Sequence, residues 1–172
     1  MTNMPKSESL KRTLRKQRSK AKGNQQEPNS CHDINLNEKI LKMDDGSRFL
    51  VFDNEQEERI VIFSGVKGKE SVRTSSQFFM DGTFKCCSKQ FAQVYTVHAH
   101  LGGRTDETNV FPVVFALLPN KKKETYARML QLIKEAVPQW CPSKVNVDFE
   151  AAAISALHEV FPSMKSVGAT ST

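Results

Sequence analysis

Two aspartates are placed where a carboxylate could do chemistry. Asp81 closes the apolar run Phe78-Phe79-Met80 and is followed by Gly82; Asp148 closes Val145-Asn146-Val147. A carboxylate at the end of a buried strand is costly unless something compensates it. A divalent cation is one such partner, and hard oxygen donors suit Mg²⁺ or Mn²⁺. Such ions activate a water or hydroxyl and stabilise the leaving oxygen in phosphodiester cleavage. The same residues also have commoner readings. Asp-Gly is a frequent turn pair, Asp148 could cap a helix beginning at Glu150, and Glu150 could be a first-turn acid favoured by the helix dipole. On pattern alone these alternatives stay open.

Other reactive side chains carry less. His98 and His100 are two apart on an expected strand, so they share a face and could look toward Asp81. A histidine on a lone strand is more often packed or solvated than catalytic. His158 reads as a helix-surface residue. The four cysteines are Cys31, Cys86, Cys87 and Cys141. Adjacent Cys86 and Cys87 have no base nearby in sequence to activate them. They also lack the two-residue gap of a zinc knuckle, even with Cys31-His32 as a second pair. No disulfide framework is visible, which points to a reducing compartment.

The elements that must position the two acids are legible as patterns. Arg48–Asp53 and Arg59–Phe63 are β-rich runs separated by polar residues 54–58, a hairpin signature. Ser64–Glu70, with Gly65 and Gly68, reads as a turn. Gln77–Phe84, Gln90–His100 and Val110–Leu118 are three strands. The last is almost wholly apolar, as expected of a strand covered on both faces, and Pro112 sits near its start, where a proline is tolerated. Asn120 is the expected N-cap of a helix marked by Tyr126, Met129, Leu130, Ile133, Ala136 and Val137 and stopped by Pro138. Lys121–Lys123 at its start read either as a solvated turn or as a phosphate contact. Lys144–Phe149 is a short strand, Glu150–Phe161 a second helix, and Met164–Val167 the beginning of one more strand. The order is β-β-β-α-β-α-β after the hairpin.

Composition sets the bounds. The chain has 172 residues, 38% hydrophobic, with a mean hydropathy of −0.48. No apolar run approaches the ~20 residues of a membrane helix, and the polar, basic N-terminus does not read as a secretory signal. Eight of the 25 basic residues but one of the 19 acidic ones precede residue 23. That stretch therefore carries +7 and the rest of the chain −1. We read residues 1–30 as a flexible basic arm, residues 31–73 as a β lead-in and residues 74–172 as the main domain.

Five stretches, taken in order, resemble the transposase domain of Mutator-like elements, the MULE domain. They are Phe79-Met-Asp-Gly-Thr-Phe-Lys85, Gln90–His98, Pro112–Pro119, Tyr126 with Met129-Leu130, and Val147-Asp-Phe-Glu-Ala-Ala152. The resemblance extends from about Leu10 to Val167. It implies an α/β fold with a ribonuclease-H-like mixed sheet and flanking helices, with Mg²⁺ or Mn²⁺ as cofactor. It also implies a triad of two aspartates and a glutamate, in which Asp81 matches the first aspartate and Asp148 the second. The family's Gly-Cys pair, nearby histidine, third acid and final helix are not found before Thr172, so the domain is expected to be C-terminally truncated and inactive in this form.

Three readings follow: a metal-dependent enzyme that cuts and transfers DNA strands; a non-catalytic DNA or chromatin binder derived from a transposase; and a gene fragment without function. DNA is the expected partner, gripped by Lys11, Arg12, Arg15, Lys16, Arg18, Lys20 and Lys22. Such an arm also serves as a nuclear address, so the nucleus is the expected location. Self-association is a further expectation.

Overall fold

The computed structural model describes residues 28–55, 58–83, 89–102, 109–148 and 150–169. The arm residues from Lys11 to Lys22, Phe84 to Ser88 with its two cysteines, and Phe149 lie outside the described residues.

The strand-forming runs of the described residues assemble into one seven-stranded sheet. Its strands are β1 (Leu50–Asp53), β2 (Val61–Phe63), β3 (Gln77–Thr83), β4 (Gln93–His100), β5 (Val110–Leu118), β6 (Lys144–Val147) and β7 (Ser166–Ala169), in the spatial order β1-β2-β5-β4-β3-β6-β7. β3, β4 and β5 form an antiparallel meander, and β6 and β7 join β3 in parallel. The expected hairpin forms, and β2 pairs antiparallel with β5, so β1 and β2 widen the main sheet.

Parallel pairing requires crossovers, and helices supply them. α3 (Lys123–Ala136) connects β5 to β6, and α4 (Ala151–Val160) connects β6 to β7. Their apolar stripes, including Tyr126, Met129, Leu130 and Ile133 on α3 and Ala153, Leu157 and Val160 on α4, bury against Phe78, Met80, Tyr95, Val97 and Val145 of the sheet. Trp140 packs edge-on between Phe78 and Phe161, at 5.8 and 4.9 Å between ring centroids. β4 alternates without exception, with Gln93, Tyr95, Val97 and Ala99 buried.

The opposite sheet face is covered over β2 and β5, where Val61, Phe63, Phe115 and Leu117 pack with Cys31, Ile34, Leu36 and Phe49 of the preceding segment. α1 (Glu38–Leu41) belongs to that segment. β5 is thus covered on both faces. Arg59 staples the segment down. Its guanidinium donates to Asp53 through Nε (2.8 Å) and Nη2 (2.6 Å), and through Nη1 to the carbonyls of Cys31 (2.5 Å) and Ile34 (2.8 Å).

Two local expectations change. Residues 66–74, read in part as a turn, form α2 (Val66–Thr74). Gly65 is the N-cap, and Gly68 lets the helix lie against β5, since a Cβ there would fall 2.5 Å from the Val113 carbonyl oxygen. The glycines that signalled a turn mark a helix entry and a close approach. Secondly, the N-cap of α3 is Lys122 rather than Asn120. Asn120 acts one turn earlier: its Oδ1 accepts from the Lys122 amide (2.9 Å) and the Thr125 hydroxyl (2.7 Å).

Candidate functional site

Register explains how Asp81 and Asp148 meet. β3 and β6 run parallel with Phe79 opposite Asn146 and Met80 opposite Val147. The next step along both strands sets Asp81 beside Asp148. Met80 is buried under the helices, so by alternation along β3 Asp81 emerges on the opposite face, and Asp148 follows the last residue of β6. Asp148 has its pKa raised above the ordinary 3.8: burial comes first among the causes, then the hydrogen bond and charge of Asp81, then the charge of Glu150. The pair is a carboxylate dyad at the rim of the sheet, with Asp81 exposed.

Asp148 is not the cap of the helix that follows it. α4 begins at Ala151, and its N-cap is Glu150, whose side chain makes no cap bond. Glu150 is turned the other way. The Tyr126 hydroxyl donates to Glu150 Oε2 at 2.8 Å, and Lys121 Nζ lies 3.6 Å from Oε1. Its backbone amide donates to the Asp148 carbonyl at 2.6 Å. Gln93 Nε2 in turn donates to the Tyr126 hydroxyl at 2.5 Å. Burial raises the Tyr126 pKa, so this phenol keeps its proton as a donor.

Gln93 is fully buried, and its Oε1 has no hydrogen-bond partner among the described residues. It fits because position 82 is glycine, where a Cβ would come within 2.5 Å of Oε1.

His98 is on the face of Asp81. Asp81 faces Thr96 and Phe79 faces His98, so His98 is a diagonal neighbour of Asp81, about 7–8 Å away by sheet geometry. His100 is one pair further off, and its Nδ1 accepts from the Gly102 amide at 3.3 Å; it does not join the dyad. His158 is exposed on α4, as expected. Lys122 and Lys123 pair with Glu58 (3.3 Å) and Glu159 (2.8 Å), and Lys121 with Glu150, so all three lysines at the start of α3 have acidic partners.

Sequence reasoning passed over Gln93, Tyr126 and Lys121 as parts of this neighbourhood. A glutamine at an inward strand position, and a tyrosine on an apolar helix stripe whose hydroxyl must find a partner, were the available signals.

Among the described residues, no cluster of three or more His, Cys, Asp or Glu side chains is arranged to hold a metal ion. Two carboxylates with an exposed side are nonetheless a donor set of the kind Mg²⁺ accepts, since that ion keeps several waters and is bound through one or two carboxylates. No helix among the described residues is long and apolar enough to cross a membrane.

Comparison with known proteins gives one positive result. A family model described as the MULE transposase domain matches residues 77–169, just over half of the chain, from the first residue of β3 to the last of β7. No curated protein and no solved structure matches.

Proposed function

Because the chain belongs to the MULE transposase domain family, we propose that it acts on DNA through a divalent cation held by Asp81 and Asp148, in cleavage and transfer of DNA strands. The observation that carries this reading is the dyad itself. Two acids 67 positions apart in sequence are set side by side by parallel pairing, at a cost that a cation would relieve. The sheet order supports a ribonuclease-H-like fold: an antiparallel meander extended on the β3 side by two parallel strands, with both crossover helices on one face.

When bound, Mg²⁺ or Mn²⁺ supplies Lewis acidity and lowers the pKa of a coordinated water. The chain's own residues do the rest. Asp81 and Asp148 hold the ion, with their backbones fixed by neighbouring strands. The exposed side of Asp81 leaves room for a phosphate.

The basic arm, Lys11 to Lys22, supplies phosphate affinity and directs the protein to the nucleus. Its seven basic residues release counterions on binding, so affinity falls steeply as salt rises.

Two measurements separate cutting from holding. Mg²⁺-dependent nicking of supercoiled DNA by the purified chain should be lost in Asp81→Asn and in Asp148→Asn. Retention of DNA in a gel should be lost on deleting residues 1–22 but kept in both aspartate variants. DNA retention without nicking in the unaltered chain would favour a non-catalytic, transposase-derived binder.

A further inference from the structure

The buried side of the dyad ends in a polar chain that packing alone does not require. Gln93 on β4, Tyr126 on α3 and Glu150 before α4 come from three elements and meet in line. The amide donates to the phenol, and the phenol to the carboxylate, at 2.5 and 2.8 Å. The Tyr126 ring is itself held against Tyr95, 5.1 Å between centroids and tilted by 57°. Burying Gln93 leaves its Oε1 without a partner among the described residues, a desolvation cost that an apolar residue of the same shape would not carry. A leucine would fill the place without that cost.

What the arrangement secures is the orientation of Glu150. Glu150 is in turn tied to Asp148 by the hydrogen bond that its backbone amide donates to the Asp148 carbonyl. We propose that Gln93 and Tyr126 are positioning residues, which hold Glu150, and through its hydrogen bond to the Asp148 carbonyl hold Asp148, so that Asp148 meets Asp81 in cation-binding geometry. The inference rests on the cation reading above. It assigns these residues no contact with the ion; they act through Glu150, as outer partners orient metal ligands elsewhere.

The test is Mn²⁺ binding by the 172-residue chain, followed by isothermal titration and paired with thermal melts. Tyr126→Phe keeps the ring against Tyr95 and removes only the hydroxyl. It should lower Mn²⁺ affinity about tenfold, the low end for loss of an outer partner. Gln93→Leu removes both the donor to Tyr126 and the orphaned oxygen. It should melt at or above the unaltered chain and still bind Mn²⁺ more weakly. That combination is one a purely structural role would not produce.

Unchanged Mn²⁺ affinity in a folded Tyr126→Phe overturns the proposal. If that variant does not fold, unchanged affinity in Gln93→Leu overturns it instead. The underlying reading fails separately: it is lost if the unaltered chain binds no Mn²⁺, or if Asp81→Asn and Asp148→Asn bind it as well as the unaltered chain does.

Discussion

At the scale of single residues, the dyad is a site where the fold accepts an electrostatic cost. Asp148 ionises less readily in the folded chain than in the unfolded one. A carboxyl with a raised folded-state pKa contributes stability at low pH, and that contribution is lost as pH rises through the folded value. Asp148→Asn removes the ionisation and keeps the shape. It should therefore melt higher than the unaltered chain at pH 7, by less than about 1 kcal/mol because solvent screens a pair at the rim. The difference should vanish below pH 3.8, the ordinary aspartate value. Melting curves at pH 3.5, 5 and 7 without divalent ions check this. A variant that loses stability at pH 7 would mean Asp148 is a cap or a structural hydrogen-bond donor after all.

Arg59 makes the opposite case. Its pKa is raised, chiefly by its hydrogen bonds to Asp53. The pair is almost wholly buried, with side-chain exposures of 4% and 8%. Removing one member strands a buried charge, at about 3–5 kcal/mol. Arg59→Met should cost about that much. It should also expose residues 28–49 to limited proteolysis before the rest of the chain, because two of the four bonds from Arg59 go to carbonyls of that segment.

At the scale of elements, α2 shows how one residue type carries opposite signals. Gly65 and Gly68 flank Val66 and Lys67 and look like turn chemistry in a linear reading. In the fold Gly68 is helical and touches β5. An alanine inside a helix usually gains about 0.8–1.0 kcal/mol over glycine. At Gly68 the new Cβ would press on a backbone carbonyl, which cannot rotate away. Overpacking costs about 1–3 kcal/mol, so the clash outweighs propensity. Gly68→Ala should destabilise by about 1–2 kcal/mol in chemical denaturation; Val66→Ala, at a residue 64% exposed, should change little.

Other elements were legible with near-correct bounds because their signals are local. β5 is an unbroken apolar run covered on both faces, α3 carries a 3.6-residue stripe closed by Pro138, and β6 and α4 follow the turn at Cys141-Pro142. The cap of α3 was misplaced by two residues because Asn120 does hydrogen-bond backbone there, in a turn that precedes the helix.

At the scale of the whole molecule, two faces of one sheet are treated differently. One is sealed by α3 and α4. The other is sealed only over β2 and β5, by the segment that Arg59 pins. Asp81 emerges on that second face from β3, and Asp148 lies just past the end of β6. Burial therefore stabilises the sheet from behind while Asp81 stays open to solvent. Leu157→Ala, at a fully buried α4 position, tests this coupling. It should cost about 2–5 kcal/mol and weaken Mn²⁺ binding only in proportion to the unfolded fraction, since Leu157 touches the sheet core.

By itself the sequence determined the kinds and order of the elements from β3 onward, the charge of residues 1–22, the two candidate acids and the family. These depend on short-range periodicity, composition and motif order, all of which are written along the chain. Only the tertiary structure decided that β1 and β2 join the main sheet, that Asp81 and Asp148 are neighbours while His100 is not, and that Glu150 turns toward Tyr126. Those outcomes depend on strand register and on which side chains share a buried space. Both are set by pairing between residues tens of positions apart, where a one-residue slip would reverse every face.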